Sequence, residues 1–309
     1  MSAVDAEPQT HPPCSTMSAA GDEPLAATAS RIEHWLLVEY PGYWPTDPLD
    51  AAPFVGRVRE HLAAQLATLR NPRLCLVRRP TFRRDGRVRV LYGRTPERGA
   101  WFRGVELDAH VDLLELDLAA ALRGEAPAPG EPLQHPLLLV CTHGKRDACC
   151  ARLGRDLCTE LHRRADDAWV WQSSHVGGDR FAGNVVCLPE GLYFGRLDGP
   201  RAQEMLDEYR AGRIALDGYR GRSCHPFPAQ AAERRVREET GLTGLHDLRV
   251  VATRRVEQER WRVDVVAEVA GDAYRVEVGV ELGAEAYLTC KAQAPRRPRL
   301  FVVRSLERL

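Results

Sequence analysis

Apolar residues recur along this chain as short continuous runs and as helically spaced sets, separated by Pro and Gly punctuation. Trp35-Leu36-Leu37-Val38-Glu39-Tyr40, ended by Pro41-Gly42, predicts a buried strand followed by a turn. Val58, Leu62, Leu66 and Leu69 fall at helical spacing within 56–69, and strands are expected at 73–78 and 87–92. Val111, Leu113, Leu114, Leu116, Leu118 and Leu122 predict a helix over 111–123, stopped by Gly124. The Pro/Gly-rich stretch 124–132 reads as a linker and a domain boundary. Beyond it the pattern restarts, with a buried strand at 137–141, a helix at 150–163, strands at 169–171 and 192–194, and a helix at 200–211.

The same succession of strand, helix, strand, strand and helix therefore stands on both sides of the linker. It points to an α/β protein with two related units, of which only the second keeps ligand-bearing loops; the rival is one α/β domain with an interrupting linker. The last third changes period. A helix at 229–241 ends on Gly241, and 250–254, 261–269 and 274–282 alternate apolar and polar residues, the signature of an antiparallel meander. Residues 1–30 are rich in Ser, Ala, Pro and Asp without periodicity and are expected to be disordered or loosely attached. The expected organisation is thus a 1–30 segment, an α/β unit at 31–123, the 124–132 linker, a second unit at 133–222, and a helix plus β-rich module at 223–309.

Composition narrows the function classes. A formal net charge of zero gives no global pull toward nucleic acid or an anionic membrane. No apolar run approaches the roughly 18 residues of a membrane span, and the N-terminus lacks the pattern of a secretory signal, so a cytoplasmic location is expected. Lysine occurs only at 145 and 291 against abundant Arg and Ala, a codon bias that points to a bacterial source. Nine cysteines in 309 residues fit a disulfide framework poorly. Cys75, Cys158 and Cys187 read as core residues, whereas Cys224 and Cys290 have no evident partner. The Arg-rich stretch 70–98 reads as a solvated or ion-paired face, or as a dock for an acidic partner protein.

The chemistry concentrates in two loops. Cys141-Thr-His143-Gly-Lys-Arg146-Asp147-Ala-Cys149-Cys150 places one thiol at the end of a buried strand and another at the start of a helix, with eight residues between Cys141 and Cys150. A helix N-terminus favours thiolate. Ser174-His175-Val-Gly177-Gly178-Asp179-Arg180-Phe181-Ala-Gly-Asn184 adds an imidazole and a carboxylate four residues apart, with glycines that let backbone approach a bulky group. Such donors suit a metal or iron–sulfur site.

These two strings, with Trp171, Leu188-Pro189, Trp35-Leu-Leu-Val-Glu39 and Tyr219-Arg-Gly-Arg222, resemble the sucrase/ferredoxin-like family. The resemblance implies a thioredoxin-like ferredoxin domain carrying a [2Fe–2S] cluster held by two Cys and a His-x3-His pair. By that carry-over Cys141, Cys150 and His175 are ligands, and Asp179 stands where the second His is expected. His143, Cys149 and Cys187 are the alternatives for the fourth ligand. Arg146, Asp147, Ser174, Gly177, Gly178, Arg180 and Asn184 are expected to support the loops.

The function then expected is a one-electron carrier or redox sensor served by a separate redox partner protein. A zinc-binding structural or interaction protein using the same Cys/His/Asp donors is the alternative. A sugar hydrolase ranks last, because no pair of carboxylates that would flank a sugar stands out. No nucleic-acid or membrane partner is expected.

Overall fold

The computed structural model describes residues 11–81 and 86–309; residues 1–10, and Arg83, Arg84 and Asp85 of the Arg-rich stretch, lie outside them. The chain opens with helix α1 (Cys14–Ala20), whose Cys14, Ser15 and Ser18 are buried. Residues 11–30 thus carry packed structure where composition alone predicted loose attachment, because α1 contributes small side chains rather than a large apolar face.

The first unit contains β1 (His34–Glu39), α2 (Arg57–Ala67), β2 (Pro72–Arg78), β3 (Val88–Arg94), β4 (Trp101–Leu107), α3 (Leu118–Arg123) and the short β5 (Glu131–Pro132). The second contains β6 (Leu137–Cys141), α4 (Ala148–Arg164), β7 (Val170–Ser173), β8 (Val185–Leu188), β9 (Leu192–Phe194), α5 (Gly199–Arg210) and β10 (Tyr219–Arg222). Within each unit the first strand pairs parallel with the strand after its helix and antiparallel with the next. The two units meet where β2 pairs antiparallel with β7, Val77 opposite Ser173 and Arg78 opposite Gln172. The product is one ten-stranded mixed sheet in the order β10-β9-β8-β6-β7-β2-β1-β3-β4-β5. The pairing pattern recurs in both units, each with three strands between its two helices rather than the two expected, and the strands form a single continuous sheet.

Helix α6 (Phe227–Thr240) leads into a separate four-stranded antiparallel sheet, β11 (Leu248–Glu257), β12 (Arg260–Ala267), β13 (Asp272–Leu282) and β14 (Arg299–Arg308). Ala232 and Val236 of the helix pack on Val263, Val265, Val276 and Val278, the inward positions of the alternating strands.

Several details depart from the sequence pattern. The helix expected over 111–123 divides into a 3-10 turn (His110–Glu115) and α3, because the Asp117 side chain accepts from Ala120 N at 2.9 Å and starts a new helix. The linker supplies β5, which pairs with β4 through Arg103 opposite Pro132. Much of the Arg-rich stretch is engaged by acids from elsewhere: Arg70 meets Glu33 at 3.2 Å, Arg89 meets Glu39 at 3.2 Å and Arg98 meets Glu268 at 3.4 Å.

Alternation along β6 sorts its side chains. Leu138 and Val140 join the core beneath α4 and α5, while Leu139 and Cys141 face the opposite layer with Trp35, Cys75 and Trp171. Helix α4 sits close to the end of β6. A Cβ at Gly154 would lie 2.0 Å from the Cys141 carbonyl oxygen, so only glycine allows this approach.

A buried ion network joins the large sheet to α6. Arg237 Nη2 lies 3.0 Å from Glu233 Oε1 and Arg222 Nε 4.0 Å from the same oxygen, all three side chains being essentially inaccessible. Burial alone would raise the Glu233 pKa, but Arg237, Arg222 and His225 outweigh it and hold the carboxyl at about 2. A depressed folded pKa means the stabilisation is complete above the ordinary carboxylate range and is lost as pH falls through it toward 2. Glu233→Gln is expected to cost about 3 kcal/mol or more, because it strands two buried guanidinium groups. Urea unfolding at neutral pH checks this, and the gap between wild type and variant should narrow below pH 4; an unchanged midpoint would refute the role.

Candidate metal centre

Parallel pairing of β6 with β7 sets Cys141 opposite Ser173, so the loops that follow these strands leave the sheet side by side. The first loop turns through His143 to Asp147, which caps α4 by accepting the Cys149 N–H at 2.8 Å. Cys150 follows on the first turn of the helix. The second loop is pinned at its start to the first unit: Ser174 N donates to Leu76 O at 2.8 Å, and Leu76 N donates to Ser174 Oγ at 3.0 Å.

The result brings Cys141, Cys150 and His175 together. One sulfur from each cysteine and one ring nitrogen all lie within 4.8 Å of one another. Both sulfurs are buried, and the imidazole keeps 19% of its side-chain surface. That exposed edge opens on a groove of about 380 Å³ whose lining includes Thr46, Leu49, Arg73 and Arg146. Asp179, at the start of a 3-10 turn, touches two of the three. Its Oδ1 is 2.9 Å from His175 Nδ1, a charge contact lying off the N–H direction that a hydrogen bond needs. The same oxygen accepts from Cys150 Sγ at 3.4 Å.

Charge in the trio is shared unevenly. The hydrogen bond from Cys150, followed by His175, pulls the Cys141 thiol well below its ordinary value despite burial. Cys150 moves the other way, because it donates to Cys141 and is buried. Burial would lower the His175 pKa, but Asp179 and the Cys141 sulfur reverse this and raise it to about 9. Burial likewise opposes the Asp179 charge, and His175 overcomes it, leaving that carboxyl below its ordinary value. The environment therefore favours charge on Cys141, His175 and Asp179 and a retained proton on Cys150.

The other candidates fall elsewhere. His143 is buried between the loop and the first unit, its Nε2 3.2 Å from Trp44 O and its Nδ1 accepting from His175 N at 3.2 Å. Cys187 lies opposite Leu138 in β8, on the face of the sheet away from Cys141, with Met205 Sδ at 3.8 Å. Cys149 points away from Cys150 into a second, buried Cys/Asp cluster with Cys14, Asp147 and Cys290 that can also bind a metal. Arg180 pairs with Glu23 at 2.8 Å rather than with Asp179.

The glycine loop is held by a residue that local sequence does not advertise. Arg220, on β10 and 1% exposed, donates to Gly177 O at 3.1 Å, Asn184 Oδ1 at 2.8 Å and Thr28 O at 2.6 Å. Asn184 Nδ2 in turn donates to Gly178 O at 2.8 Å. A Cβ at Gly178, which has φ +84°, would strike the guanidinium at 2.3 Å. The Tyr219-Arg-Gly-Arg222 string was the available signal, but its partner loop is some 40 residues away in sequence.

A protein-family model described as sucrase/ferredoxin-like matches residues 25–221, well over half of the chain. This chain belongs to the sucrase/ferredoxin-like family. Curated relatives are yeast proteins named altered inheritance of mitochondria protein 32. That of Meyerozyma guilliermondii is 35% identical over 95 residues, covering 28% of this chain and 34% of the relative. That of Clavispora lusitaniae is 32% identical over 100 residues, 30% of this chain and 37% of the relative. The chain therefore spans about a third of the length of the curated relatives it matches. No solved structure matches.

These findings correct the functional expectation. The relatives are named for mitochondrial inheritance, not as [2Fe–2S] electron carriers, and membership of the family does not establish iron–sulfur chemistry. The one-electron carrier or redox sensor is therefore withdrawn. The bacterial source inferred from codon bias is withdrawn as well, since the matched relatives are yeast proteins. Among the described residues no helix is long and apolar enough to cross a membrane.

Asn184→Ala removes one acceptor from Arg220 and one donor from Gly178 O. It is expected to cost about 2 kcal/mol and to speed amide hydrogen exchange over residues 177–181. Unchanged exchange in that loop would show that Asn184 does not hold it.

Proposed function

We propose that this chain is a metal-binding protein in which Cys141, Cys150 and His175 hold one thiophilic metal centre. The convergence of two buried sulfurs and one ring nitrogen, delivered by two loops on adjacent parallel strands, carries this reading. Soft thiolate and imidazole donors select zinc or an iron–sulfur cluster over magnesium or calcium. Bound metal would supply positive charge that neutralises the thiolates and releases the proton Cys150 carries in the free site.

The protein's own groups prepare that site. Asp179 stands beside both the imidazole and Cys150, 2.9 Å from His175 Nδ1 and 3.4 Å from Cys150 Sγ, and supplies negative charge that favours the protonated ring in the free site. Arg220 and Asn184 fix the Gly177–Gly178 turn that carries His175 and Asp179. All nine cysteines are free, which fits a reducing compartment such as the cytoplasm.

Iron, acid-labile sulfide and zinc in the purified full chain test the proposal. A [2Fe–2S] occupant would give about two iron and two sulfide per chain; a zinc occupant would give zinc without sulfide. Under either occupant, Cys141→Ser, Cys150→Ser and His175→Ala should each lose that metal, whereas Cys187→Ser should retain it. Wild-type metal content in the first three variants would refute the site.

A further inference from the structure

On the other side of the α4 N-terminus, Cys14, Cys149 and Cys290 converge from three distant parts of the chain. Cys14 opens α1, Cys149 is the second residue of α4, and Cys290 lies in the segment between β13 and β14. Their sulfurs stand 3.8 Å (Cys14 to Cys149), 3.4 Å (Cys149 to Cys290) and 3.6 Å (Cys290 to Cys14) apart. Asp147 completes the group, its Oδ1 and Oδ2 3.7 and 3.6 Å from Cys14 Sγ. Cys14, Asp147 and Cys149 are at most 2% exposed.

These separations have a definite meaning. Four ligands on a tetrahedral zinc at about 2.3 Å for sulfur and 2.0 Å for oxygen leave sulfurs roughly 3.8 Å apart and oxygen roughly 3.5 Å from sulfur. The three sulfur–sulfur distances and the Asp147–Cys14 distance are close to those edges. A disulfide needs sulfurs at about 2.05 Å, and a bond from Cys290 to either of the others would leave a buried thiol alone. We infer that Cys14, Cys149, Cys290 and Asp147 form a closed structural zinc site that fastens α1 and the C-terminal module to the N-terminus of α4.

The surroundings suit an anionic Cys3Asp centre. Asp147 is held by the N–H groups of Cys149 at 2.8 Å and Cys290 at 2.7 Å, which fix its carboxylate while leaving lone pairs for a metal. Ser15 Oγ donates to Cys149 Sγ at 3.2 Å. The N-terminal end of α4 adds positive potential. The only two lysines in the chain, Lys145 and Lys291, flank the cluster, and the Lys291 ammonium caps the Lys145 carbonyl. Successive residues on a helix point about 100° apart, so Cys149 and Cys150 serve two different sites. This inference does not depend on what occupies the Cys141/Cys150/His175 site.

Cobalt(II) reloading of the chelator-stripped, reduced full chain tests it. The wild type and His175→Ala should both show the sulfur-to-cobalt charge-transfer band and intense d–d bands of a tetrahedral thiolate site, and both should carry about one zinc here when purified with zinc present. Introduced into the His175→Ala chain, which lacks the first site's metal, Cys14→Ser and Cys290→Ser should each lose this spectrum and that zinc. In the wild type, chelator should also accelerate alkylation of Cys290, a measurement that needs no folded variant. An unchanged cobalt spectrum in both serine variants, alkylation of Cys290 indifferent to chelator, or a Cys149–Cys290 disulfide in zinc-purified protein would each overturn the inference.

Discussion

Everything at the candidate site depends on the parallel register of β6 and β7. With Cys141 opposite Ser173, the strand ends are level, and the loops that leave them must run beside each other. Shifting that register by one residue would turn Cys141 into the core beneath α4 and α5. The register is held by Val170 and Leu138 on one face and by Trp171 and Leu139 on the other. It is also held by the first unit, because Leu76 of β2 accepts from Ser174 N and donates to Ser174 Oγ. The second unit carries the candidate ligands Cys141, Cys150 and His175, but the first unit fixes where one of the loops begins.

Burying charge this densely is costly unless every group finds a partner. Arg220 and the Arg222–Glu233–Arg237 network are almost inaccessible, yet each has carbonyl or carboxylate acceptors within reach. Arg220 connects residue 28, the Gly177–Gly178 turn and β10. Arg222, two residues further along the same strand, connects to α6. A single short strand therefore ties the site loop to the element that carries the four-stranded sheet.

Much of this was legible in the sequence wherever chemistry was local. Cys141, Cys150 and His175 stand in loops bounded by clear strand and helix patterns, so their convergence could be anticipated from strand order. The period-two alternation of the last third gave three of its four strands. Long-range partnerships were not legible. Nothing near Cys14 or Cys290 signals that they meet Cys149, because their partners are more than 130 residues away. Arg180 beside Asp179 invited a local pair, yet Glu23 competes from α1's side and takes it. The strand at Trp101–Leu107 was missed because Arg103, Gly104 and Glu106 break its apolar pattern, and only pairing with β3 along its whole length makes it a strand.

X-ray absorption at the metal edge of the full-length Cys14→Ser/Cys290→Ser variant measures the Cys141/Cys150/His175 centre by itself. The account predicts a coordination shell containing sulfur and imidazole nitrogen, and loss of the metal-edge signal after His175→Ala. A shell of oxygen and nitrogen alone, or one that His175→Ala leaves unchanged, would contradict it.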